Sequence, residues 1–481
     1  MDPRDKQIQE LTELVGTLNA TIKELQETIR ELRRQLGQNS QNSSKPPSSD
    51  GYKKPAPRSQ RQKTGKKPGG QKGHKGSNMS IPHAPDEIRQ HYPEKCHTCP
   101  HLSKCLENGE VFQCAEKRYS VDAVITTKVT EHQSIKVDVC PCGETPGAGA
   151  FPKDVKAYVQ YGSSVSVLVG LLNTYGSMSA MRIHTLIGSL LGCKLSTGTV
   201  VSMVSKCAKK VGSTMKKIRA LIESGDVGHF DETGARLGGK LYWVHSSSTS
   251  EYTYQTINRR RGKIGMDANG VLLNFHGIAM HDCWSPYWKY DGIIHAICNA
   301  HLLRELTGIE DFNPDHTWAY SFKELLRSMK KAKERAIAKG KTRLSPSTLY
   351  RFSREYDLIM AVADEECPLP PDPDPPVKKR GRKRKGKERA LIERLILLKD
   401  AVCLFIHDFK VPFDNNQAER DVRNIKTKVK VAGCFRSEGG AQNYLDVMSY
   451  LSTGMKHNVS VFDALTAAFS NNAEIVIQQG F

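Results

Sequence analysis

The chain has no uninterrupted apolar run approaching the roughly 20 residues of a membrane-crossing helix, so no such span is expected. Its opening, MDPRDKQIQE, lacks the apolar core of a secretion signal. Acid is in short supply: 51 Asp+Glu stand against 71 Lys+Arg, giving a formal charge of +20 and a pI near 9.3. That imbalance suits a polyanionic partner, although a merely basic surface would satisfy it too. The 13 cysteines are odd in number, and Cys193, Cys207 and Cys403 stand singly in apolar segments. A disulfide framework is therefore not expected, and a reducing cytoplasm is. A length of 481 residues leaves room for about three domains with real cores.

The first segment, 1–36, is the most regular. Ile8, Leu11, Val15, Leu18, Ile22, Leu25, Ile29, Leu32 and Leu36 recur at alternating spacings of three and four. β-branched residues at most a positions and Leu at d favour a parallel two-stranded coiled coil, and hence a homo-oligomer. Residues 37–80 read as a linker of Ser, Asn, Pro and Gly. Between Lys45 and Lys75 it carries ten Lys or Arg against the single acid Asp50. So few apolar groups cannot offset the entropy of ordering. Lys66, Lys67 and Lys72 are candidate phosphate contacts of a basic arm.

Residues 85–150 hold Cys96-x-x-Cys99 and the tighter Cys140-x-Cys142. Four thiolates suit tetrahedral Zn²⁺, which would supply folding energy to a small region. The Val-, Ile- and Thr-rich stretch from Arg118 to Val139 reads as two strands joining the pairs. From 155 to 222 the pattern is helical, with Ser196 as an N-cap ahead of Val200 and Val201, forming a DNA-binding or packing domain.

The catalytic core is expected over 225–455. Asp231 sits in a short apolar stretch, followed by strand-like runs at 240–245, 252–257, 270–275, 277–280 and 293–298. Asp282 closes the fourth of these core strands, and Glu419 lies at a helix start in Asp414-Asn415-Asn416-Gln417-Ala418-Glu419-Arg420. Alternation predicts that Glu232 faces away from Asp231. Three acids at strand ends and a helix start can converge on two divalent ions for phosphodiester chemistry. Arg420, Arg423 and Lys426 would hold phosphates nearby. Strands in succession, then strand–helix alternation, resemble a ribonuclease H-like domain.

The 137 residues from Asp282 to Glu419 require an insertion, at about 310–405. It contains a basic run in which Arg380-Gly381-Arg382 resembles a minor-groove hook. A C-terminal helix is expected over 456–481. The fold class is thus α+β and multidomain: coiled coil, small zinc-binding β module, helical domain, and ribonuclease H-like domain with a helical, basic insertion.

Several of these pieces together resemble the insertion-sequence 66 family of DDE-type bacterial transposases. They are the coiled coil, Asn42-Ser43-Ser44-Lys45-Pro46-Pro47-Ser48-Ser49-Asp50, Lys67-Pro68-Gly69-Gly70-Gln71-Lys72-Gly73-His74 and the cysteine module. Asp231-Glu232-Thr233-Gly234, His295-Ala296-Ile297-Cys298-Asn299-Ala300-His301, the Asp414–Arg420 element and Gly433-Cys434-Phe435-Arg436 complete the set. The resemblance implies that Asp231, Asp282 and Glu419 hold Mg²⁺ or Mn²⁺. It further implies cleavage at element ends and strand transfer into target DNA by a 3′-hydroxyl, with small accessory proteins. Two other classes share some of these features: a ribonuclease H-like nuclease or resolvase, which joins no strands, and a zinc-containing DNA-binding regulator, which needs no acids.

Overall fold

A computed structural model describes residues 3–43, 84–108, 114, 116–121, 123, 125–137, 141–142, 147–369 and 386–478. The chain divides into two compact units, one of Ser59–Gly149 and one of Met1–Arg58 with Ala150–Phe481.

The larger unit begins with α1 (Pro3–Gly37), a single helix that continues through Gly16. All nine seam residues from Ile8 to Leu36 are exposed. The smaller unit contains α2 (Glu94–His97), α3 (Leu102–Asn108) and a two-residue antiparallel pairing of β1 (Lys136–Val137) with β2 (Gly147–Ala148). The two strands expected across 118–139 are not found: among the described residues there, only Lys136 and Val137 join a ladder. Ile125, Val129 and Ile135 are exposed, and β-formers without a surface to pack on gain little from pairing.

The larger unit resumes with α4 (Ser163–Asn173), α5 (Ala180–Leu191) and α6 (Thr197–Glu223). Ser196 caps α6 as expected, its hydroxyl accepting from the Thr199 N–H at 3.0 Å. Next come β3 (Val227–Leu237), β4 (Lys240–Ser248) and β5 (Thr253–Asn258), an antiparallel meander. α7 (Lys263–Asn269) and α8 (Val271–Asn274) follow. The run 270–275, read as a strand, is therefore helical. Gly270 ends α7 at φ +84° and the chain winds again at once, burying Val271 and Leu272. A short buried apolar run fits either period, so its residues alone do not decide.

β6 (Ile278–His281) then pairs parallel with β3, and β7 (Ile294–Ile297) pairs parallel with β6. The sheet order is β5-β4-β3-β6-β7. α9 (Asn299–Phe312) leads into the helices α10 (Trp318–Ala338), α11 (Pro346–Glu366), α12 (Lys387–Leu397) and α13 (Lys399–His407). These four helices span most of the long interval between Asp282 and Glu419. The chain then forms α14 (Asn416–Ala432), α15 (Glu438–Lys456) and α16 (Val461–Phe469).

The sheet separates two cores. Ala279 of β6 and Phe230 of β3 pack with α6 and α15, whereas Ile278 and Met280 pack with α9 to α13. Successive side chains of one strand thus supply opposite faces, and β6 is buried along its whole length.

Candidate active site

β3 and β6 run parallel with His229 opposite Met280. Two residues further along each chain stand Asp231 and Asp282. Equal displacement along parallel neighbours keeps them level, at the C-terminal end of the parallel strands. Glu419 comes from the first turn of α14.

The electrostatics show that these acids are neighbours. Burial first, then the charges of Glu232, Asp282 and Glu419, pushes the half-buried Asp231 carboxyl well above its usual range. A backbone N–H from Glu232, donated to Asp231 Oδ1 at 2.9 Å, opposes this. Asp282 is raised by burial and by Glu232, against a 2.9 Å hydrogen bond from the Trp284 N–H and the charges of His301 and Arg261. Alternation predicted that Glu232 would look away, yet its carboxylate is within electrostatic reach of both aspartates. It is committed elsewhere: Arg261 donates to Oε1 at 2.9 and 2.6 Å, and Tyr287 Oη donates to Oε2 at 2.8 Å. Arg261 is itself held over the Trp284 and Trp243 rings, at 4.0 and 4.8 Å from their centroids.

Glu419 Oε1 accepts from Arg304 Nη2 at 2.9 Å, and His301 Nε2 lies 3.6 Å from the same oxygen. Ligand-type atoms of Cys298, His301 and Glu419 lie within 4.8 Å of one another. Burial pushes the Cys298 thiol up to about 12, and its sulfur accepts the Asn415 N–H at 3.1 Å. His301 keeps a buried Nδ1 with no hydrogen-bond partner among the described residues.

Asn415 is the residue that sequence reasoning undervalued. It precedes the first residue of α14, where a side chain would ordinarily cap the helix, but its side chain makes no capping bond. Instead it is buried at 2 % exposure. Its Nδ2 donates to the Phe230 carbonyl at 2.9 Å, and its Oδ1 meets His229 Nδ1 at 2.8 Å. Asn415 therefore ties the start of α14 to β3 one residue before Asp231, and to the end of β7 through Cys298. An Asn flanked by buried Phe413 and Ala418 was the only local hint.

The other expected site residues are distributed as follows. Arg420 and Arg423 are exposed and Lys426 is half-buried on α14. Lys428, further along the same helix, is buried, donates to the Asn173 and Met178 carbonyls at 2.8 Å, and is pushed down to about 8 by burial. In the smaller unit Cys96 and Cys99 share one turn, and Cys142 is exposed. Cys140, Lys66, Lys67, Lys72, Arg380 and Arg382 lie outside the described residues.

Comparison with known families gives two matches. A family described as Transposase IS66 family matches residues 159–443, more than half of the chain and inclusive of all three acids. A family of unknown function matches residues 1–80. No curated protein matches the chain.

Proposed function

The chain belongs to the transposase IS66 family, and we propose that Asp231, Asp282 and Glu419 are the residues that cut and join DNA. The observation that carries this reading is the gathering of the acids at one place: burial first, and then the charge of neighbouring carboxylates, lifts Asp231 and Asp282 above their usual range. Such an excess of negative charge is what bound cations offset, and carboxylate oxygens suit Mg²⁺ or Mn²⁺. When bound, two such ions would activate the attacking oxygen and stabilise the leaving oxygen of a phosphodiester.

The remaining parts follow from the chain itself. Arg261 and Tyr287 occupy the two carboxylate oxygens of Glu232, which leaves the other three acids for the ions. Glu419 gives only Oε1 to Arg304, so Oε2 is free among the described residues. Arg423 and Lys426 follow Glu419 at helical spacings of four and seven, extending a basic track from the acids along α14. The sheet order, an antiparallel three-strand meander with two parallel additions, supports a ribonuclease H-like core. The substrates would be element ends, cleaved by water, and target DNA, attacked by the freed 3′-hydroxyl.

Two accessory features belong to the same reading. The exposed α1 seam supports self-association through a coiled coil. Cys96, Cys99, Cys140 and Cys142 are proposed to hold one Zn²⁺, which metal analysis of the intact chain and Cys99→Ser would test as one equivalent bound and lost.

The test of the function is element mobility in cells. A donor plasmid carries the locus with its flanks, encoding either the intact chain or Glu419→Gln. Movement lost only with Glu419→Gln supports the reading; equal movement removes Glu419 from the chemistry.

A further inference from the structure

Between Val155 and Ile222 the sequence has nine Lys or Arg and no Asp or Glu. In a chain with 51 acids, so long a gap marks a surface built for a polyanion. The gap covers α4, α5 and all of α6 except its last residue, Glu223, and these helices form their own core of Val169, Ile183, Ile187, Leu195, Val200, Met203 and Val204. Gly192, at φ +66°, ends α5, and Ser196 caps α6 four residues later. The pair is thus a helix–turn–helix packed on α4.

The six cations of α6 fall into two groups. Lys210, Lys217 and Arg219 are engaged: Lys210 donates to the Phe469 carbonyl and Asn471, Lys217 pairs with Glu474, and Arg219 pairs with Glu223. Lys206, Lys209 and Lys216 are exposed and have no hydrogen-bond or ion-pair partner among the described residues. At 100° per residue they lie in one narrow arc of α6, opposite the buried arc of Met203, Cys207, Val211, Thr214 and Ile218. Between and beyond the lysines that arc holds only Gly198, Ser202, Ser213 and Ala220. Its side chains are small wherever they are not cationic, so a partner can approach the helix backbone closely.

We infer that α6 is a docking surface for duplex DNA, separate from the three acids, with Lys206, Lys209 and Lys216 on phosphates. A helix about 10–12 Å across matches a major groove about 12 Å wide. The lysines span about 15 Å of the helix, enough to reach several phosphates. That the polyanion is DNA rests on the family reading; that it binds here rests on the acid-free unit and its unpaired stripe.

The experiment measures binding of the full chain to a labelled duplex from the element end, over a range of salt and without added divalent metal. It compares intact protein with Lys206→Ala/Lys209→Ala/Lys216→Ala. A control of equal charge change, Lys339→Ala/Lys341→Ala/Arg343→Ala, alters the exposed turn after α10. Thermal unfolding of each variant checks the fold. The α6 triple should lose on the order of a hundredfold in affinity at about 0.15 M salt, with a salt slope shallower by about three. The control should match the intact chain. Equal losses in both triples, or none in the α6 triple, would overturn the inference. Cutting needs metal and is scored separately, so failure here leaves the role of the acids untouched.

Discussion

One end of the sheet collects four acids, whereas the three helices immediately before β3 hold a single one, Glu223 at the last position of α6. At the sheet end, burial and then neighbouring carboxylates make Asp231 and Asp282 hold protons more tightly than usual, and Glu232 is paired with Arg261. On α6, lysines stand unpaired in water. Both arrangements leave charge unsatisfied, with opposite sign. On the reading proposed above, small hard cations would complete the first and phosphate the second. A protein of net charge +20 thus keeps a compact negative site at the sheet end beside a stretch, 155–222, without any acid.

The two regions can be separated by substitution. Glu419→Gln should have the largest effect, lowering end cleavage by about a thousandfold or more while duplex affinity stays within about twofold. A gel assay with labelled duplex reads both quantities. The α6 lysine triple should do the reverse: weaker binding, but a single-turnover cleavage rate within a few-fold of the intact chain at saturating DNA.

Asn415→Ala should come next, at about 10- to 100-fold in cleavage, because it orients Glu419 without touching substrate. It should also cost about 1–3 kcal/mol of stability, since the Phe230 carbonyl loses its buried donor. Loss of cleavage with unchanged dependence on Mg²⁺ concentration would contradict a positioning role. The smallest effect is expected from Ser213→Glu, which puts one acid into the lysine arc. Affinity for duplex should fall several-fold, with stability within about 0.5 kcal/mol; unchanged affinity would argue that the arc does not face DNA.

Much of this was visible in the residues. The three acids, the Ser196 cap and the start of α14 carry local signals, because caps and short apolar runs depend on near neighbours. The run 270–275 was misread because a buried stretch of that length has no decisive period. The strands expected from Arg118 onward failed for a different reason: composition favoured pairing, but no packing surface supported it. Asn415 was undervalued because its partners His229 and Phe230 lie 186 and 185 residues away. The commitment of Glu232 to Arg261 and Tyr287 is likewise a tertiary fact. The division between the unpaired Lys206 stripe and the engaged Lys210 and Lys217 needed the positions of α16 and the turn after it.

The central claim is that Asp231, Asp282 and Glu419 act as one metal-dependent unit on DNA ends. Its most direct test is strand cleavage and joining on labelled element-end duplex with Mg²⁺, comparing the intact chain with Asp231→Asn, Asp282→Asn and Glu419→Gln. The account predicts cleaved and joined products from the intact chain alone, with duplex binding kept by all four proteins. Cleavage near the intact rate by any one of the three variants would contradict it.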